Sequence, residues 1–293
     1  MASTQPRRLI ALLYAAVAYA AFLVASAWAV TFLADWQLPR GIDHGTRQAL
    51  PTAVTVDLAL LALFALQHSV MARSGFKRWL VRFLPAPMER STYVLAASAF
   101  LLLLFWQWQS VATPVWDLHN AVGSGAIWCV YVLGWLIAIG STFMIDHFDF
   151  FGLRRAYRYS RREPATPMRF VERWLYGWVR HPLMLGLLMA FWATPRMTAG
   201  HLLFAFSATA YIAVGGRFEE HDLERELGEV YLDYAERVPA LLPLCRPTSW
   251  RRSEATVAAT EAGNVAEARF SSTSSSFRLT SAAEPDRGGR VPW

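Results

Sequence analysis

The sequence predicts an all-α polytopic membrane protein: four transmembrane helices, then a C-terminal membrane helical hairpin and a cytoplasmic amphipathic helix. Three observations carry this. The 293-residue chain is 55% hydrophobic and only 17% charged, too apolar for a soluble domain to bury. Its apolar residues fall in unbroken runs close to the roughly 20 residues that a bilayer-crossing helix needs. Its arginines sit in short segments between those runs, so the formal charge of +6 reads as membrane orientation, and no nucleic-acid partner is expected.

Residues 9–34 form the first run. Arg7 and Arg8 precede it and Ala25-Ser26-Ala27 offers small residues for cleavage, but the run is longer than a secretory signal core and is read as a membrane helix. Residues 51–71, 91–111 and 126–145 supply the second, third and fourth crossings. The segment 73–90 carries Arg73, Lys77, Arg78, Arg82 and Arg90, and 147–182 carries eight arginines, whereas 112–125 has no Lys or Arg. Arg40 and Arg47 in the first loop are balanced by Asp35 and Asp43. This asymmetry places both termini and the two arginine-rich loops in the cytoplasm.

The next apolar stretch is interrupted at Pro195 and Gly200, which gives two arms, 183–194 and 201–216, each short for a crossing and expected to pack on protein. Beyond it, Leu223, Leu227, Val230, Tyr231 and Tyr234 recur at helical spacing until Pro239. Residues 1–247 therefore read as one integral-membrane domain. The Ser/Thr/Ala/Gly-rich 248–293 reads as a disordered tail. Trp106, Trp108, Trp174 and Trp178 are expected in the interfacial aromatic belt. Cys129 and Cys245 support neither a disulfide nor a metal site, and no metal-ligand spacing occurs.

Candidate chemistry gathers at the arginine-rich side. Arg180-His181-Pro182 opens the hairpin, where free N-terminal amides and a guanidinium favour an anion; the alternative is an anchor at the head groups. Glu219 and Glu220 follow directly on an apolar stretch, so a carboxylate near the interface can face a sulfonium or an ammonium; the alternative is solvated pairing with nearby arginines. His147, within Asp146-His147-Phe148-Asp149, is a base available near neutral pH. Asp57, Gln67 and His68 lie within the second crossing and read as groups that hydrogen-bond neighbouring helices.

At Tyr176, Arg180-His181-Pro182, Gly186, Glu219-Glu220 and the closing Gly228, Tyr231, Tyr234 and Val238-Pro239, the chain resembles the membrane methyltransferases related to isoprenylcysteine carboxyl methyltransferase. Leu66-Gln-His-Ser-Val-Met-Ala-Arg73, Phe105-Trp-Gln-Trp108, His147-Phe-Asp-Phe-Phe-Gly-Leu153 and Ala190-Phe-Trp-Ala-Thr-Pro195 resemble, more narrowly, the bacterial methanethiol S-methyltransferases. That resemblance implies transfer of a methyl group from S-adenosyl-L-methionine to methanethiol, a small volatile thiol, giving dimethyl sulfide and S-adenosylhomocysteine. It implies a cofactor site formed by Tyr176, His181, Pro182, Phe170 in the 166–171 segment, Glu219 and Glu220, with His181, Arg180, Glu219, Glu220 and His147 as the candidate catalytic groups. Two positions depart from the family pattern: Met184, where an aromatic residue is common, and Gly215-Gly216-Arg217, where bulkier apolar residues are usual. The competing readings are methylation of a larger lipid-like thiol or carboxylate, and a non-enzymatic membrane protein that binds haem or a metal through His68 and His147.

Overall fold

The computed structural model describes residues 4–37, 39–164 and 172–242. The 166–171 segment with Phe170, Cys245 and the 248–293 tail lie outside them. The framework is helical: α1 (Thr4–Leu33), α2 (Leu50–Ala72), the short α3 (Ser74–Leu80) and α4 (Glu89–Gln107) lead to α5 (Ala121–Ile145). The short α6 (His147–Phe150) and α7 (Leu153–Arg161) follow, then α8 (Pro182–Trp192), α9 (Ala199–Leu227) and α10 (Glu229–Arg237). Five stretches are long and apolar enough to cross a membrane: Arg7–Leu33, Leu50–Ala72, Ala86–Gln107, Ala121–Ile145 and Ala199–Leu227. Large apolar side chains stand open on these helices, Leu66 at 63% and Leu136 at 62% exposure among them, as lipid contact requires and water would penalise. This is an integral membrane protein.

The hairpin differs from the sequence expectation. Its first arm is short, as expected, because the chain leaves helical geometry at Ala193, two residues before Pro195. Its second arm is the 29-residue α9, which runs without a break through Gly215, Gly216 and the glutamates. Good helix formers from Arg217 onward sustain it, and at about 1.5 Å per residue it is roughly 44 Å long, more than a hydrocarbon core. The helix ends only at Gly228, whose φ of +58° admits a sharp turn into α10. The single amphipathic helix expected over 223–234 is thus two helices, and Val230 turns outward while Leu223, Leu227, Tyr231, Tyr234 and Val238 pack together.

The framework is α-helical as expected, with one short strand pair added to it. Pro114–Asp117 (β1) and Arg196–Thr198 (β2) pair antiparallel, with an irregularity between Pro114 and Trp116. The pair ties the α4–α5 connection to the turn between α8 and α9. Trp108 is also not in an interfacial belt: it is 1% exposed and packs on Phe32 and Phe204, whereas Trp106, Trp174 and Trp178 are exposed. Asp57 behaves as expected of a buried helix polar group, its Oδ1 accepting the Gln109 amide at 2.8 Å.

The closest helix contact positions the site. An added Cβ at Gly186 would lie 2.5 Å from both the Ala138 nitrogen and the Gly134 carbonyl oxygen, and one at Gly134 would lie 2.7 Å from the Gly186 carbonyl oxygen. With Ala138 and Ala190, these glycines let the α5 and α8 backbones touch, which is how helices associate in lipid, where burial of apolar area gives no drive.

Candidate active site

Contacts along the helices bring the α1 start, the α2 end, the α4 start, the α5 end, the α8 start and the α9 end to one side of the bundle. His68 meets Tyr93, Tyr14 meets Thr92, and Arg73 lies over Phe218. His181 is the N-cap of α8 and Pro182 its first residue, so the first-turn amides have no acceptor within the helix. The chain after α10 folds back along this start: the Arg180 and His181 amides donate to the Pro239 and Ala240 carbonyls at 2.9 and 3.1 Å. Arg180 Nη1 donates to the Ala235 carbonyl at 3.1 Å, and the Tyr234 hydroxyl donates to the Tyr176 carbonyl at 2.6 Å.

These bonds present a charged knot. Glu220 Oε1 accepts from Arg180 Nη2 at 2.8 Å and from His181 Nε2 at 3.0 Å. The Glu219 carboxylate stands 4.0 Å from His181 Nδ1, beyond hydrogen-bond range, and its side chain is 52% exposed against 27% for Glu220. Adjacent helical residues point about 100° apart, so only one glutamate can turn to the Arg180–His181 pair while the other stays open to a different cation. Arg180 is mostly buried, and its Nε has no partner among the described residues. Tyr176 sits near Glu219 and Ser141; burial, reinforced by the Glu219 charge and opposed by the Ser141 hydrogen bond, pushes its phenol up to about 12. Burial likewise raises Tyr231 to about 12, with Glu220 adding to the effect and Arg180 opposing it. Both phenols therefore remain protonated at neutral pH.

His147 is not joined to this knot. Thr142 donates its hydroxyl to the Ile139 carbonyl, so the 2.7 Å contact between Thr142 and His147 Nδ1 is a donation from the ring, and Nε2 accepts from the Tyr19 hydroxyl at 2.8 Å. Phe143 stacks on the imidazole at 4.0 Å, and burial lowers its basicity. With both ring nitrogens engaged, His147 clamps α1 to α5 and has no lone pair for haem or metal. Asp146 and Asp149 pair with Arg154 and Arg155.

The donor set fits an amino-acid-bearing sulfonium ligand. A buried guanidinium nitrogen without a partner among the described residues and the first-turn amides of Leu183 and Met184 suit its carboxylate; the open Glu219 carboxylate suits its positive groups. A separate cavity of about 720 Å³, lined by Trp28, Leu102 and Trp106 among other apolar residues, lies between α1 and α4 toward their opposite ends, away from Arg180 and His181.

No family model and no solved structure matches the chain. Among curated proteins, it is 52% identical over 237 residues to Methanethiol S-methyltransferase of Mycobacterium tuberculosis, a match covering 81% of this chain and 97% of that protein. The chain belongs to the methanethiol S-methyltransferase family. Methanethiol S-methyltransferase 2 of Bradyrhizobium diazoefficiens is 54% identical over 236 residues, covering 80% of this chain and 91% of that protein. A more distant relative is Nurim of Bos taurus, 28% identical over 186 residues and covering 60% of this chain.

Met184 and Gly216 face each other across α8 and α9: a Cβ built at Gly216 would lie 3.5 Å from Met184 Sδ, an ordinary van der Waals contact. Sequence reasoning singled out Arg180, His181, Glu219, Glu220 and Tyr176, which the structure brings close together. It missed the carbonyls of Ala235, Pro239 and Ala240 that hold Arg180 and His181; the Val238-Pro239 stop was the only sign of them.

Proposed function

We propose that this chain is an S-adenosylmethionine-dependent thiol S-methyltransferase that converts methanethiol to dimethyl sulfide. The observation that carries the reading is identity above 50% to two methanethiol S-methyltransferases along about four-fifths of the chain. The charged knot at the start of α8 supplies the chemistry to match. The arginine-rich ends face the cytoplasm, both termini with them, in the bacterial cytoplasmic membrane. α10 lies as an amphipathic cover on that side, and the 248–293 tail takes no part.

S-adenosylmethionine bound here supplies a methyl carbon on a sulfonium, open to in-line attack by a thiolate. The protein's work is alignment and exclusion of water. Arg180 and the first-turn amides of α8 hold the carboxylate end. Glu219 faces the positive groups. Glu220 fixes the Arg180 fork and the His181 ring through two charge-assisted hydrogen bonds, and so acts as a positioning residue. Tyr176 and Tyr231, protonated throughout the working range, add neutral donors beside the carboxylates. The product is apolar and leaves through lipid, which accounts for a membrane location.

The test is purified protein in nanodiscs, given methanethiol and methyl-labelled S-adenosylmethionine. Label appearing in dimethyl sulfide, one equivalent per S-adenosylhomocysteine formed, supports the reading. Label transferred only to a prenylated or other long-chain thiol would replace it.

A further inference from the structure

His68 has an unusual pattern of partners. Its Nε2 lies 2.6 Å from the Tyr93 hydroxyl, while its Nδ1 is buried and has no partner among the described residues. An unsatisfied buried nitrogen costs about 1–3 kcal/mol, so Nδ1 gains from a partner supplied from outside the described residues. Three rings from three helices box the imidazole: Phe64 at 5.3 Å, Tyr93 at 4.9 Å and Tyr211 at 6.2 Å between centroids. Gln67 Oε1, on the preceding residue, is also buried without a partner.

This group stands beside the candidate site. Arg73, at the end of α2, lies 4.4 Å over the ring of Phe218, the residue before Glu219, and Ser69 contacts the Tyr211 hydroxyl at 3.2 Å. Tyr93 is within electrostatic reach of Glu219, Arg90 and Tyr211. Arg90 itself is turned to the Phe150 carbonyl and ring. The charged and titratable groups around His68 and Tyr93 thus include Arg73, Glu89, Arg90, Tyr211 and Glu219, and no carboxylate among the described residues is hydrogen-bonded to His68.

We propose that His68 is the general base for the thiol. Resting on the methyltransferase reading, this deepens it by assigning the acceptor side of the site. In the tautomer protonated at Nε2, whose N–H points to the Tyr93 oxygen, the lone pair on Nδ1 accepts the proton as the S–H bond of methanethiol breaks. The sulfur electron pair forms the new carbon–sulfur bond while the bond between methyl and sulfonium breaks, its electrons leaving with the neutral thioether. The proton remains on His68 until it passes to water after product departs. The rings around His68 are apolar and favour a small apolar thiol over water. Tyr93 is a positioning residue that holds the imidazole through Nε2.

Two nucleophiles separate this from a structural role. Methaneselenol loses its proton far more readily than methanethiol, so it needs no base. His68→Gln is expected to lower kcat/KM for methanethiol about 100-fold or more, in the range general-base removal gives, and for methaneselenol less than about tenfold. S-adenosylhomocysteine binding, read by calorimetry, stays at the wild-type value. Equal losses with both nucleophiles, or loss of S-adenosylhomocysteine binding, would overturn the assignment. Tyr93→Phe, which keeps the imidazole, gives the same comparison with a smaller ratio in the same direction, and covers the case in which His68→Gln does not accumulate in the membrane. A wild type that methylates neither nucleophile removes the methyltransferase reading and this assignment together.

Discussion

Replacing Glu220 with glutamine tests the knot most finely, because the shape is kept and only the charge is lost. In the structure one carboxylate oxygen receives both Arg180 Nη2, at 2.8 Å, and His181 Nε2, at 3.0 Å. Hydrogen bonds to charged groups contribute about 1.5–3 kcal/mol each, and glutamine retains a neutral acceptor at the same place. The net loss is then about 2–3 kcal/mol, which is roughly 30- to 150-fold in kcat/KM for the methyl donor. Glu220 is about a quarter exposed, so the lower figure is the better guide. The assay is initial-rate formation of dimethyl sulfide with S-adenosylmethionine varied, beside a thermal melt of the same preparation. Glu219→Gln should instead raise KM for the methyl donor while leaving the Arg180–His181 geometry intact. A change under about threefold in Glu220→Gln, with an unchanged melt, would refute the idea that Glu220 fixes these two side chains.

Two further outcomes follow from packing and burial. Gly186→Ala pushes a methyl onto the Ala138 nitrogen and Gly134 carbonyl, both 2.5 Å from the new atom, and is expected to cost about 3 kcal/mol, read as a lowered melting temperature in detergent. Asp43 is held by the Thr198 hydroxyl at 2.5 Å in a loop far from the site, and burial raises its carboxyl from 3.8 to about 6. The folded state therefore binds this proton more tightly than the unfolded chain, so the contribution of this carboxyl to stability is greatest below pH 4 and falls as pH rises to 6, by on the order of 3 kcal/mol. Asp43→Asn should flatten that fall between pH 4 and 6, because the amide keeps an acceptor for Thr198; a melt that remains as steep over that interval would count against it.

Much of the site was legible because its parts are contiguous. Arg180-His181-Pro182 marks the start of a helix by its chemistry alone, and Glu219-Glu220 follow an apolar run that sets their depth. Which glutamate turns to Arg180 was not legible, since it depends on the phase of α9 against α8. The length of α9 was hidden by Gly215-Gly216, which look like a break but sit inside a helix packed on Met184. The β1–β2 pair joins two very short strands far apart in the chain, and neither has a period to read. Trp108 looked interfacial by position, but the Phe32 and Phe204 rings that bury it come from the two ends of the fold. For His68, residue type was visible, but an empty nitrogen beside an occupied one is a tertiary fact. His147 shows the converse: a promising base in the sequence, with both nitrogens engaged once Thr142 and Tyr19 are in place.

The central claim is that this chain methylates methanethiol at the Arg180–His181 start of α8. Headspace gas chromatography on cells expressing the protein and supplied with methanethiol measures it directly, beside cells with His181→Ala at matched membrane levels. The account predicts dimethyl sulfide from the wild type and a loss of at least about tenfold in the variant, because the knot loses a charge-assisted hydrogen bond worth about 1.5–3 kcal/mol at Glu220. Equal dimethyl sulfide from both strains would contradict the placement of the site, and none from either would contradict the activity.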